Sequence, residues 1–123
     1  MMITAEQKTV LVVDDDPSIL RSVSALLADE NYTVLTSSSG REALQQSKDY
    51  KRDIHLLLSD FQMPGLSGVD LATQMTLERP KLKVLLMSGS TERMLVVDKG
   101  WHFLAKPFIS SQLTALVMGL VGA

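Results

Sequence analysis

Residues 9–19 read TVLVVDDDPSI, an apolar run that ends in three consecutive acids and a proline. Thr9 to Val13 is β-branched or apolar throughout, the pattern of a strand buried on both faces of a parallel sheet. Asp16 followed by Pro17 marks a helix start. A carboxylate can cap free backbone N–H groups there, and proline suits the first helical position. Ile19, Leu20, Val23, Leu26 and Leu27 then form one apolar stripe at helical spacing. The unit is a buried strand, an acidic turn and an amphipathic helix.

The same alternation continues along the chain. Further strands are expected at Tyr32–Thr36, Ile54–Ser59, Leu82–Met87 and Trp101–Leu104. Ser39 with Glu42 fits a capping box, and Ser67 with Asp70 opens another helix in which Val69, Ala72 and Met75 share a face. The last helix carries Ile109, Leu113, Leu116, Val117 and Leu120. Only Thr91 to Lys99 is available for a fourth helix, with Gly100 ending it in the left-handed conformation. Met1 to Lys8 is expected to be a flexible lead-in, and residues 9–123 a single domain. Strands alternating with helices imply an α/β fold, a doubly wound five-stranded parallel sheet with right-handed crossovers and a shortened fourth helix.

Composition narrows the function classes. The chain has 123 residues, 46% hydrophobic and 21% charged, as in ordinary globular proteins. No apolar run approaches the ~20 residues of a membrane span, and the first residues lack a signal-peptide pattern. Cysteine is absent, which excludes disulfides and thiolate metal sites. These features point to a cytoplasmic protein with no membrane contact. The net charge of −2 and scattered basic residues speak against direct nucleic-acid binding.

Parallel sheets bind ligands beyond the carboxyl ends of their strands. The first strand leads into Asp14, Asp15 and Asp16, the third into Asp60, the fourth into Ser88 and the fifth towards Lys106. With strands one, three and four as neighbours, these groups converge. Clustered carboxylates repel one another and resist joint ionisation, which a hard divalent cation such as Mg2+ relieves. A carboxylate, a cation, an ammonium and a hydroxyl suit a transferred phosphoryl group, and a carboxylate can itself be the nucleophile. Asp16, beside Pro17, reads as a cap before it reads as a ligand.

The segments LVVDDDPSI (Leu11–Ile19), LLLSDFQMPGLSGVDL (Leu56–Leu71), VLLMSGS (Val84–Ser90) and FLAKPF (Phe103–Phe108) resemble the receiver domains of two-component response regulators. The resemblance runs from about Thr9 to the C-terminus. Met87–Gly89 and the spacing into Phe103 also resemble receivers fused to hybrid histidine kinases. It implies a flavodoxin-like (βα)5 fold with strand order 2-1-3-4-5. It implies a phosphoprotein with Asp60 as the phosphoacceptor, forming an aspartyl phosphate. Mg2+ (or Mn2+) would be held by Asp15, Asp60 and the backbone carbonyl of Gln62, with Asp14 acting through water. Ser88 matches the switch hydroxyl, Phe103 the aromatic switch residue and Lys106 the lysine that pairs with phosphate. The Lys106–Pro107 peptide matches one that is commonly cis, which is accessible because Pro107 is proline. Gly65 and Gly68 permit backbone conformations that other residues resist.

The resemblance further implies a partner carrying phosphohistidine, either a sensor histidine kinase or a histidine phosphotransfer domain. It implies a monomer or weak dimer, and a phosphoacceptor rather than a turnover enzyme on an external substrate. The stretch from Ser88 to Lys106 is a few residues shorter than in most receivers. No output domain is expected after the last helix, so the chain reads as a stand-alone receiver or a piece of a larger protein. His55 reads as structural within a strand, and His102 as a surface or edge residue. Two other readings compete: a magnesium-dependent phosphatase with Asp14 as nucleophile, and a receiver-fold interaction module that is never phosphorylated. A flavodoxin-like cofactor binder is disfavoured, because the acidic first loop would repel a phosphate.

Overall fold

β1 (Thr9–Val13) is buried at all five positions and forms the centre of the molecule. It pairs in parallel with β2 (Thr33–Ser37) on one side and β3 (Leu56–Asp60) on the other. β4 (Lys83–Ser88) pairs with β3, and β5 (His102–Ala105) closes the sheet. The order is β2-β1-β3-β4-β5, all parallel, so every strand delivers its C-terminal end to one edge. This computed structural model describes residues 7–89 and 100–122. The helix expected at Thr91–Lys99 and most of the lead-in lie outside the described residues.

Alternation along the strands divides the core between two faces. Leu11, Val13, Leu57 and Leu86 pack with Ala43 of α2 (Gly40–Asp49) and with Leu71, Ala72 and Met75 of α3 (Gly68–Glu78). Val10, Val12, Leu56 and Leu58 pack with Val23 and Leu27 of α1 (Pro17–Asp29), and with Leu113 and Val117 of the C-terminal helix, Ser110–Val121. The expected helix starts hold. Asp16 Oδ1 accepts the Ser18 N–H at 2.9 Å, Ser39 Oγ that of Glu42 at 3.1 Å, and Ser67 Oγ that of Asp70 at 3.1 Å. The Glu42 carboxylate, however, receives the N–H of Ser38 rather than that of Ser39, so the capping box is offset by one residue.

Three sequence expectations need correction. Strands two to five each begin one or two residues later than hydrophobicity suggests, because burial and pairing end at different places. Tyr32, Ile54 and Leu82 are buried but precede the ladder, whereas polar Ser37, Asp60 and Ser88 still pair. His55 therefore sits just ahead of β3, not within it. Its Nδ1 accepts the Thr9 N–H and its own N–H donates to the Thr9 carbonyl, both at 2.9 Å, a structural role at the far end of the sheet. Ile109 does not join the apolar stripe of the last helix. It is the N-cap residue, 64% exposed, because it precedes the first helical turn.

Arg79 was not foreseen as an anchor. Its guanidinium donates to Ser47 Oγ and to the carbonyls of Ser47, Tyr50 and Arg52, at 2.9–3.0 Å. It thereby ties the end of α2 and the following loop to the end of α3. Arg79→Ala is expected to destabilise the fold by about 1.5–3 kcal/mol, read by urea denaturation, and Arg79→Lys to recover little because one ammonium cannot reproduce the planar fork.

Candidate functional site

Beyond the strand ends, the backbone ladder continues far enough to hold the next residues in place. The Asp14 N–H donates to the Ser37 carbonyl at 3.3 Å, that of Phe61 to Met87 at 2.7 Å and that of Lys106 to Ser88 at 2.8 Å. Asp14, Asp60 and Lys106 are thus placed by the sheet itself. The Lys106–Pro107 peptide is cis, as expected.

Lys106 Nζ stands 3.1 Å from Asp14 Oδ2 and 3.4 Å from Asp60 Oδ1. Asp14 is fully buried, and its Oδ1 accepts the backbone N–H of Asp16 at 2.9 Å. Asp14, Asp15 and Asp60 each offer a carboxylate oxygen, and these oxygens lie within 4.8 Å of one another. Among the described residues, three carboxylates face one ammonium, an imbalance of charge with oxygen-only donors that fits a hard divalent cation. Burial pushes the Asp60 carboxyl above the usual carboxylate range, and the charges of Asp14 and Asp15 add to this against the opposing pull of Lys106. Burial also works against the Lys106 ammonium. Its hydrogen bond to Asp14 and the charges of Asp14 and Asp60 outweigh that and hold it above the usual lysine range.

Asp16 stands apart from this cluster. The Ser18 N–H and hydroxyl both bond its carboxylate and hold its proton affinity below the ordinary value, which is the behaviour of a cap. Ser88 ends β4, 5% exposed, with its neighbour in register at Ala105. Phe103 is half-buried on β5, its ring centroid 6.4 Å from that of Phe61 at an angle of 50°. Gln62 is exposed in the loop after Asp60. His102 is exposed on the edge strand β5. A groove of about 580 Å3 opens at the opposite end of the sheet, lined by residues such as His55, Lys83 and Val121, away from the acids.

Two contributors were missed or misread in the sequence. Phe61, 8% exposed, reads as an ordinary core residue, and only the fold brings it against Phe103. Gly65 has a left-handed backbone (φ 79°), as expected of it, but Gly68 does not. Gly68 is needed for room, because a Cβ there would lie 2.0 Å from the carbonyl oxygen of Asp60.

The profile of the family described as response regulator receiver domain matches residues 10–118. The sensor kinase CckA of Brucella abortus is 32% identical over 113 residues, which cover 89% of this chain and 12% of that protein. A response regulator receiver domain protein from Clostridium thermocellum superposes with a TM-score of 0.83 at 26% identity, covering 93% of this chain and 94% of that one. The receiver domain of the hybrid histidine kinase CckA superposes with a TM-score of 0.77 at 32% identity, covering 92% and 98%. The chain spans less than half the length of the curated relatives it matches.

The raised affinity of Asp60 for a proton has a consequence for stability. The folded state binds that proton more tightly than the unfolded chain does, so the ionised carboxylate opposes folding as pH rises through the carboxylate range. Asp60→Asn is therefore expected to melt above wild type in metal-free buffer at pH 7, by roughly a few °C. The gap should close as pH falls through the carboxylate range and Asp60 takes up its proton, and thermal unfolding at a series of pH values reads both.

Proposed function

This chain belongs to the response regulator receiver domain family, and from that membership we propose that Asp60 is its phosphoacceptor, in a site completed by Asp14, Asp15, Lys106 and Ser88. The observation that carries the proposal is Lys106 Nζ between Asp14 and Asp60, with Asp15 in the same cluster of carboxylate oxygens. The chain is a receiver domain of a two-component system, and such domains are signalling modules. Residues 9–123 form the receiver unit in this reading, and the likeness to the CckA receiver supports a module of the kind fused to hybrid kinases.

In the proposed transfer, an Asp60 carboxylate oxygen attacks the phosphorus of a phosphohistidine on a kinase or phosphotransfer partner. The O–P bond forms as the P–N bond breaks, and the electron pair stays on the imidazole nitrogen. Lys106 donates to a phosphoryl oxygen from a position already fixed between the two acids. Asp15, Asp60 and the Gln62 carbonyl would hold Mg2+ or Mn2+. Asp14, whose oxygens accept the Asp16 N–H and the Lys106 ammonium, would reach it through water, as in the family. Such a cation, when bound, supplies positive charge to the phosphoryl oxygens.

The Ser88 hydroxyl then turns to a phosphoryl oxygen, and Phe103 moves towards the space it leaves. Carrying such a switch from mostly off to mostly on takes roughly 5.5 kcal/mol of bias, within reach of several charge-assisted hydrogen bonds. The competing phosphatase reading fares poorly. Asp14 is fully buried and engaged by Lys106 and the Asp16 N–H, which leaves it poorly placed to attack an external ester.

Labelling with acetyl phosphate and Mg2+, followed by intact-mass spectrometry, tests the assignment. Wild type is expected to gain one phosphoryl group, and EDTA to prevent it. Asp60→Asn should gain none, and Lys106→Ala should label roughly 10²-fold more slowly. Labelling of Asp60→Asn to the wild-type extent would remove Asp60 as the acceptor.

A further inference from the structure

The carboxylate of Asp60 is aimed by its own backbone, and that backbone is gripped from two sides. Ser59 Oγ donates to the carbonyl oxygen of Asp60 at 2.9 Å. The ring closed by this bond contains ψ of Ser59 and both φ and ψ of Asp60, the torsions that set where the Asp60 Cβ points. Ser59 is fully buried and is flanked in register by Val13 and Leu86. Both neighbours belong to the face of the sheet covered by α2 and α3. On that face α3 begins at Gly68, whose N–H donates to the Phe61 carbonyl at 3.0 Å. A Cβ on Gly68 would lie 2.0 Å from the Asp60 carbonyl oxygen and 3.0 Å from its carbon. The helix start is thus seated directly on the peptide group that follows the acceptor.

We infer that Ser59 and Gly68 are positioning residues for phosphoryl transfer: the Ser59 hydroxyl and the bare Cα of Gly68 clamp the Asp60 carbonyl and hold its carboxylate within reach of Lys106 and the acidic pair. This rests on Asp60 being the acceptor. The Ser59 hydroxyl, buried among apolar side chains, makes its hydrogen bond to this carbonyl, and alanine removes that bond with little change in volume. Transfer reactions are sensitive to placement, and a displacement near 1 Å can cost about 10²-fold in rate. Losing one of the two grips is expected to allow a smaller drift.

The full chain is labelled with acetyl phosphate over a range of Mg2+ concentrations, well below the melting temperature of every variant. Labelling of the wild type at Asp60 is the prior condition; its absence would reject the acceptor assignment itself, not only the clamp. Ser59→Ala is expected to lower the labelling rate at saturating Mg2+ roughly tenfold and to raise the half-saturating Mg2+ concentration. Ser59→Thr, which keeps the hydroxyl, should recover both. Gly68→Ala should move both in the same direction and further, and if it fails to fold the Ser59 pair decides. Wild-type rate and Mg2+ dependence in Ser59→Ala would overturn the clamp. So would an equal loss in Ser59→Thr, which would assign the effect to packing.

Discussion

Lys106 lies between Asp14 and Asp60, at 3.1 and 3.4 Å, with Asp15 close by, and among the described residues these acids carry more negative charge than the one ammonium can balance. The other features follow from this arrangement. Its cost is visible at Asp60, where burial and the neighbouring acids lift the carboxyl's affinity for a proton. A fold that gathers unlike charges in unequal number is poised to take up a cation or to change state when one carboxylate is modified. The sheet supplies the framework, since five parallel strands send all their C-terminal ends to one edge.

The two faces of the sheet divide the work. Asp14 and Asp60 continue the parity of Val10, Val12, Leu56 and Leu58, the side covered by α1 and the C-terminal helix. Ser59 and Leu57 have the opposite parity, towards α2 and α3. The acids are therefore presented from one layer while the backbone carrying them is gripped from the other. Phe61 extends the second layer to β5 by its contact with Phe103. A change at the acceptor has a short packed route to the edge strand, through the residue that immediately follows it.

How much was legible in the residues depends on the range of the physics involved. Asp16 could be read as a cap because capping acts over two or three residues, and it is one. β1 could be bounded correctly because its apolar run and its paired run coincide. β3 could not, since Ile54 is buried without pairing and Asp60 pairs without being apolar. Gly68 looked like a residue chosen for backbone freedom, yet its backbone is ordinary and the space it leaves is what counts. Nothing in the residues around Arg79 marks it as an anchor, since its four acceptors lie about thirty residues earlier in the chain.

The sequence by itself determined the kind and order of the described elements and the chemical groups waiting at the strand ends. Periodicity, caps and proline act locally, and the motifs kept their spacing. Only the tertiary structure decided the distances on which chemistry turns: that Lys106 reaches an acid 92 residues away, that Asp14 is sealed and Asp15 open, and that a helix start rests on the carbonyl of Asp60. Those depend on strand order, register and the packing of both layers at once, which no local run of residues encodes.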